Sequence, residues 1–339
     1  MTLVIAHRGA SGHRPEHSRS AYALAIDQGC DAIEPDLVPT RDGVLVLRHE
    51  NEISGTTDVA DHAEFADRRT TKTVDGHTLT GWFTEDFTWA ELQTLRTRER
   101  LPELRPASAA HDGTDPVLRL EDLLAILDDA PRPVGLVAEV KHATFFERAG
   151  FPMGELLDGA LAAAGWRQDE RLTVESFEKG VLRDLRARRT GGRLVYLQEA
   201  RGSAADEVAV HGSAAPSYAS ERSDEALAAL AGEFHGISVP LRTLMAGVDT
   251  RAVDDRGPVR SSIVDRAHAA GLAVFTWTLR PENRFLPAPL RRGGDLAADG
   301  DWERWFTSIV RTGVDGVFAD HPDLAIAARS AASEPTSGT

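Results

Sequence analysis

The sequence predicts an α/β fold, a closed TIM-type (β/α)8 barrel with a small subdomain inserted after its second strand. Three observations lead there. Short apolar runs alternate with amphipathic helical patterns along most of the chain. About eight such units suit a closed barrel, and 339 residues is the length of one barrel with an insertion. One polar stretch, residues 51–115, breaks the rhythm. The expected organisation is a barrel over residues 1–327, the insertion 51–115 within it, and a disordered tail over 328–339.

The apolar runs are Leu3–Ala6, Ala32–Val38, Val44–Leu47, Leu136–Val140, Leu172–Val174, Leu194–Leu197, Gly236–Val239, Leu272–Thr278 and Val314–Phe318. Continuous apolar runs, as opposed to alternating ones, mark parallel strands buried on both faces. Helical spacing follows at Ser18–Gln28, Glu121–Asp128, Glu178–Arg189, Asp224–Ala231 and Ser261–Ala270. Within the insertion, Thr88-Trp89-Ala90-Glu91 is a capping box before Leu92 and Leu95. Residues Ala200–Arg222 and Arg280–Gly300, rich in small residues and proline, read as long loops. Together with the insertion, loop 280–300 is placed outside the barrel, where it can cover one end and select what binds there.

The net charge of −15, from 53 acidic against 38 basic residues, repels nucleic acid and anionic membranes. An anionic substrate would meet the same repulsion and needs local cations. Cys30 is the single cysteine, which excludes an intrachain disulfide and a thiolate metal cluster. No basic, apolar leader opens the chain and no run of eighteen apolar residues occurs in it. Stable membrane insertion is therefore not expected, and a cytoplasmic location is. The oligomeric state stays open.

Chemistry concentrates in two strands and two strand ends. In Ile33-Glu34-Pro35-Asp36-Leu37 the alternation of side chains puts Glu34 and Asp36 on one face of an apolar strand. Buried like charges need a cation between them. Val137-Ala138-Glu139-Val140-Lys141 repeats the pattern with a carboxylate and an ammonium. Alone it reads as a buried ion pair; with the first strand, Glu139 completes a hard-oxygen set suited to Ca²⁺ or Mg²⁺. His7 and His49 each stand where an apolar strand runs out. In a barrel those ends form the active-site face, where two histidines can act as acid and base.

These residues fall within an ordered series of motifs. It comprises His7-Arg8-Gly9-Ala10, Pro15-Glu16-His17-Ser18, Asp31-Ala32-Ile33-Glu34-Pro35-Asp36, Val46-Leu47-Arg48-His49-Glu50, Glu139-Val140-Lys141 and Gly313-Val314-Asp315-Gly316-Val317. The series resembles the glycerophosphodiester phosphodiesterase family from residue 3 to about 327, and Thr56-Thr57-Asp58-Val59-Ala60 is similar to its longer bacterial branch. The resemblance implies one divalent cation held by Glu34, Asp36 and Glu139, His7 and His49 as the acid/base pair, and Arg8 and Lys141 as phosphate contacts. The implied reaction cleaves small-molecule glycerophosphodiesters, such as glycerophosphocholine, to sn-glycerol 3-phosphate and an alcohol. Trp277 is a candidate for the glycerol pocket, against the competing reading of a core tryptophan. Glu50 departs from the family's usual Asp. Two rivals are a phospholipase D-like relative acting on lysolipids, disfavoured by the single cysteine, and a catalytically silent binder of phosphate esters, disfavoured by the full set of histidines and carboxylates.

Overall fold

A computed structural model describes residues 1–248 and 259–333. Its strands are β1 (Leu3–His7), β2 (Ala32–Glu34), β3 (Asp36–Pro39), β4 (Leu45–Leu47), β5 (Thr70–Val74), β6 (His77–Gly81), β7 (Gly135–Val140), β8 (Leu172–Ser176), β9 (Arg193–Leu197), β10 (Gly236–Pro240), β11 (Ala273–Leu279) and β12 (Gly316–Ala319). Pro35 has no N–H for a ladder and splits one extended segment into β2 and β3. Both halves pair with β7 at the same offset, Ile33 opposite Leu136 and Asp36 opposite Glu139. Taken as one stave, they join β1 and β7–β12 in a parallel sheet that closes where β2 meets β7. Among the described residues this is an eight-stave TIM-type barrel.

One predicted run is no stave. β4 pairs antiparallel with β3, Leu37 opposite Leu47. The physical reason is length: a parallel return needs a crossover of roughly a dozen residues, and the link 40–44 is a tight turn closed by Gly43 N–H on the Thr40 carbonyl. Helices cover the outside. Arg19–Gln28, for example, is capped by Ser18, whose Oγ accepts from Ala21 N.

The period of two decides what points inward. Ile5, Ala32, Val137, Val195, Phe275 and Phe318 plug the barrel's interior. Two residues further along their strands stand His7, Glu34, Glu139, Leu197, Trp277 and Asp320. The layer above the plug is therefore the floor of whatever the open end holds.

Residues 51–115 contain short helical turns, the predicted capping box at Thr88 and, unpredicted, the hairpin β5–β6. Its turn is Asp75-Gly76, both at positive φ (+46° and +84°), which is the Asp-Gly hairpin signal. The loop expected at 200–222 holds a helix, Ala205–His211. Likewise the tail expected from residue 328 is helical to Ser333, tied down by an Arg329–Asp31 ion pair; residues 334–339 lie outside the described residues.

Gly9, after β1, sits at φ +86°, and a Cβ there would lie 2.8 Å from the Ala21 backbone carbon. Gly9→Ala is expected to cost about 1–3 kcal/mol in urea unfolding. A loss under about 0.5 kcal/mol, the range of an ordinary surface change, contradicts this.

Candidate active site

The C-terminal ends of the staves open into a cavity of about 1340 Å³, lined by His7, Arg8, Glu34, His49, Glu139, Lys141 and Trp277. Asp36 is buried beside it. Sequence residues far apart thus converge on one place. Of the loop 280–300, only Arg280 reaches this wall.

One oxygen each of Glu34, Asp36 and Glu139 lies within 4.8 Å of the others. All three side chains are buried, Glu34 and Asp36 at 1% exposure. Lys141 Nζ donates to Glu139 Oε1 at 2.8 Å and lies 3.5 Å from Asp36 Oδ1. Arg8 Nε is 3.1 Å from Asp36 Oδ2, a charge contact without hydrogen-bond alignment, and the Arg8 backbone N–H donates to Glu34 Oε2 at 2.9 Å. His17 Nε2, pinned on its other side by Tyr22, meets Asp36 Oδ2 at 3.0 Å. Even so, Glu34 Oε1 and Asp36 Oδ1 are buried without a hydrogen-bond partner.

The electrostatics follow. Burial, then the nearby Asp36, pushes the Glu34 carboxyl well up. Burial likewise raises Glu139 to about 8 against the pull of Lys141. Burial would raise Asp36 too, but Lys141 and Arg8 outweigh it and hold it ionised. Three hard-oxygen donors with unused oxygens suit one oxygen-seeking divalent cation.

Each histidine is pinned through Nδ1. His7 meets Asp320 Oδ1 at 2.6 Å, and His49 meets Glu50 Oε1 at 2.6 Å. An ionised carboxylate can only accept, so Nδ1 carries the proton and Nε2 is left free. Burial and the Arg8 charge lower His7 to about 4, against Asp320; burial, Arg8 and Lys141 lower His49 to about 3. Both rest as neutral imidazoles. His49 gets to the rim by the β3–β4 hairpin, whose return arm is anchored by Arg48 N–H on the Asp36 carbonyl at 3.0 Å.

Backbone strain marks the same spot: Arg8 and His17 hold φ of +59° and +57°. Trp277 packs against the barrel's inner plug and also lines the cavity, and its Nε1 is buried without a partner. Sequence reasoning missed Asp320, whose signal is its place two residues past inward Phe318. It also missed Glu175, a buried carboxylate in register with Glu139 whose signal was an acid inside an apolar strand. Arg100 and Arg105, which grip Glu50 and Asp320, carried no local signal at all.

The glycerophosphoryl diester phosphodiesterase family model matches residues 7–324. A glycerophosphodiester phosphodiesterase of Arabidopsis thaliana is 31% identical over 335 residues, 93% of this chain and 82% of that one. One of Haemophilus influenzae is 41% identical over 163 residues, 44% of this chain and 42% of that one. A solved structure from Silicibacter pomeroyi shares the fold, with a TM-score of 0.65 at 23% identity over 97% of this chain and 93% of that one. So does an Oleispira antarctica phosphodiesterase solved in complex with its product sn-glycerol-3-phosphate, with a TM-score of 0.59 at 20% identity over 97% of each chain. With the barrel matched end to end and the motif residues gathered at its open face, the chain belongs to the glycerophosphoryl diester phosphodiesterase family and is an enzyme of that class.

Proposed function

We propose that the enzyme hydrolyses small-molecule glycerophosphodiesters, glycerophosphocholine and glycerophosphoethanolamine among them, to sn-glycerol 3-phosphate and an alcohol. Glu34, Asp36 and Glu139 hold one divalent cation, Ca²⁺ or Mg²⁺, and His7 and His49 transfer the protons. The supporting observation is the convergence of a buried three-carboxylate cluster with two carboxylate-pinned histidines in one cavity.

The cation, when bound, supplies a Lewis acid beside the phosphate. Arg8 and Lys141 balance the remaining negative charge of the diester in a water-poor site. The free Nε2 of one histidine takes the proton of the glycerol hydroxyl, which attacks phosphorus and expels the alcohol, leaving a cyclic phosphate. The other imidazole, its cationic form stabilised by its pinned carboxylate and the bound phosphate, protonates the departing oxygen. Water then opens the cycle with the roles reversed. The hairpin tip Asp75-Gly76-His77, which also lines the cavity, selects the alcohol half.

The test is release of glycerol 3-phosphate before and after chelation. Activity is expected to vanish and to return with Ca²⁺ or Mg²⁺; full activity after exhaustive chelation contradicts the reading. Affinity for the cation should also depend on pH. Metal-free Glu139 is raised to about 8 and Glu34 well up, so below pH 8 the cation must displace protons from both. Calorimetry should show binding weakening as pH falls from 8, by up to roughly tenfold per unit for each proton displaced. Affinity flat between pH 8 and 6 would show the cluster already ionised.

A further inference from the structure

We infer that Arg100 and Arg105, both carried by the inserted segment, are positioning residues that lock the two histidines of the barrel end into their working orientation. The inference rests on the proposed proton-transfer role of His7 and His49.

Local structure sets the spacing. Leu104 N–H and Arg105 N–H both bond the Leu101 carbonyl, so residues 101–105 form a tight turn with an arginine at either side. Buried Glu99 staples that turn, accepting from Leu101 N–H at 2.8 Å and from the Ser108 hydroxyl. From one side, Arg100 forks onto Glu50, with Nη1 on Oε1 at 3.0 Å and Nη2 on Oε2 at 2.6 Å. Glu50 Oε1 is the atom that pins His49. From the other, Arg105 Nη2 bonds Asp320 Oδ2 at 2.7 Å, and Asp320 Oδ1 pins His7. Each histidine thus ends a three-residue relay, imidazole to carboxylate to guanidinium, and both relays start in one turn.

The two relays are unequally supported. Asp320 is also gripped by Arg280 Nε at 2.7 Å, whereas Arg100 is the cation bonded to Glu50 among the described residues. Arg100 further forks onto Glu16, at 2.7 and 2.6 Å, and Glu16 holds Arg8 at 3.0 Å. A planar guanidinium is needed to serve two carboxylates at once; an ammonium is a single point donor. Without Arg100, Glu50 is free to swing, and His49 loses the bond that fixes its tautomer.

The experiment compares Arg100→Gln, Glu50→Gln and the double variant, with Arg105→Gln alongside. It reads kcat, KM and the His49 ring tautomer by long-range proton–nitrogen NMR of the substrate-free protein. Arg100→Gln is expected to lower kcat roughly 10–100-fold and to replace the single Nδ1–H tautomer by a mixture. Arg105→Gln, with Arg280 still in place, should cost less. Because Glu50→Gln leaves Glu16 untouched, the cycle isolates the path through Glu50, and the double variant should be no worse than the weaker single. Losses that multiply, or a wild-type tautomer in Arg100→Gln, overturn the inference. Should Arg100→Gln not fold, Arg100→Lys carries the test: it should retain part of kcat with the same tautomer mixture, and wild-type values for both would overturn the inference. His49→Ala separates the two levels. If it keeps normal turnover, the histidine reading fails; if it is inactive while Arg100→Gln is normal, only the positioning role fails.

Discussion

Asp36→Ala is expected to lose cation binding and to lower turnover by more than the roughly 10²–10⁴-fold that one proton-transfer group supplies. Asp36 is the junction of the site: Arg8, His17 and Lys141 all contact it, and its Oδ1 is, with Glu34 Oε1, one of two unpartnered buried oxygens in the Glu34–Asp36–Glu139 cluster. On the proposed reading, removing it takes away a ligand and strips Arg8 and Lys141 of one anionic partner each, leaving them Glu16 and Glu139. Thermal melts give an independent reading. Cation at a hundredfold excess over Kd should stabilise the wild type by about 2.7 kcal/mol and leave Asp36→Ala unmoved. A variant that binds Ca²⁺ or Mg²⁺ as the wild type does would remove Asp36 from the ligand set.

His7→Ala and His49→Ala should each lower kcat roughly 10²–10⁴-fold with cation affinity unchanged. Neither imidazole belongs to the carboxylate cluster, and each is tied through Nδ1 to a carboxylate outside it. Loss of the cation in either variant would make that histidine a ligand. A p-nitrophenyl glycerophosphodiester divides the roles further, because its leaving group needs no proton. The variant lacking the acid should recover most of its rate on this substrate, and the variant lacking the base should not. Equal recovery of both would contradict two distinct proton-transfer roles.

Much of the barrel was legible because its signals are local. Continuous apolar runs name the staves, and period-two spacing puts Glu34 and Asp36 on one shared face and Glu139 with Lys141 on another. The same reasoning misread Val44–Leu47, since an apolar run says nothing about direction; the shortness of the link 40–44 does. The hairpin β5–β6 had a readable turn in Asp75-Gly76, hidden by flanking threonines that mimic a polar loop. Arg100 and Arg105 were beyond reach for a different reason. Arg100 acts on a carboxylate 50 residues away and Arg105 on one 215 residues away, both by ion pairs without periodicity. The structure also answers what Glu50 does in place of the usual Asp: its side chain accepts from His49 and Arg100 together. Burial would raise that carboxyl, but the bonds from His49 and Arg100 prevail and keep it ionised.

On the proposed function, this cavity breaks the bond between phosphorus and the alcohol while leaving the phosphate on glycerol. Phosphorus NMR of glycerophosphocholine turnover by cation-loaded enzyme tests it most directly. The diester resonance is expected to convert to that of glycerol 3-phosphate, with no phosphocholine formed and no conversion once the cation is chelated. Phosphocholine as the product, or an unchanged diester resonance with saturating Ca²⁺ and Mg²⁺, would contradict it.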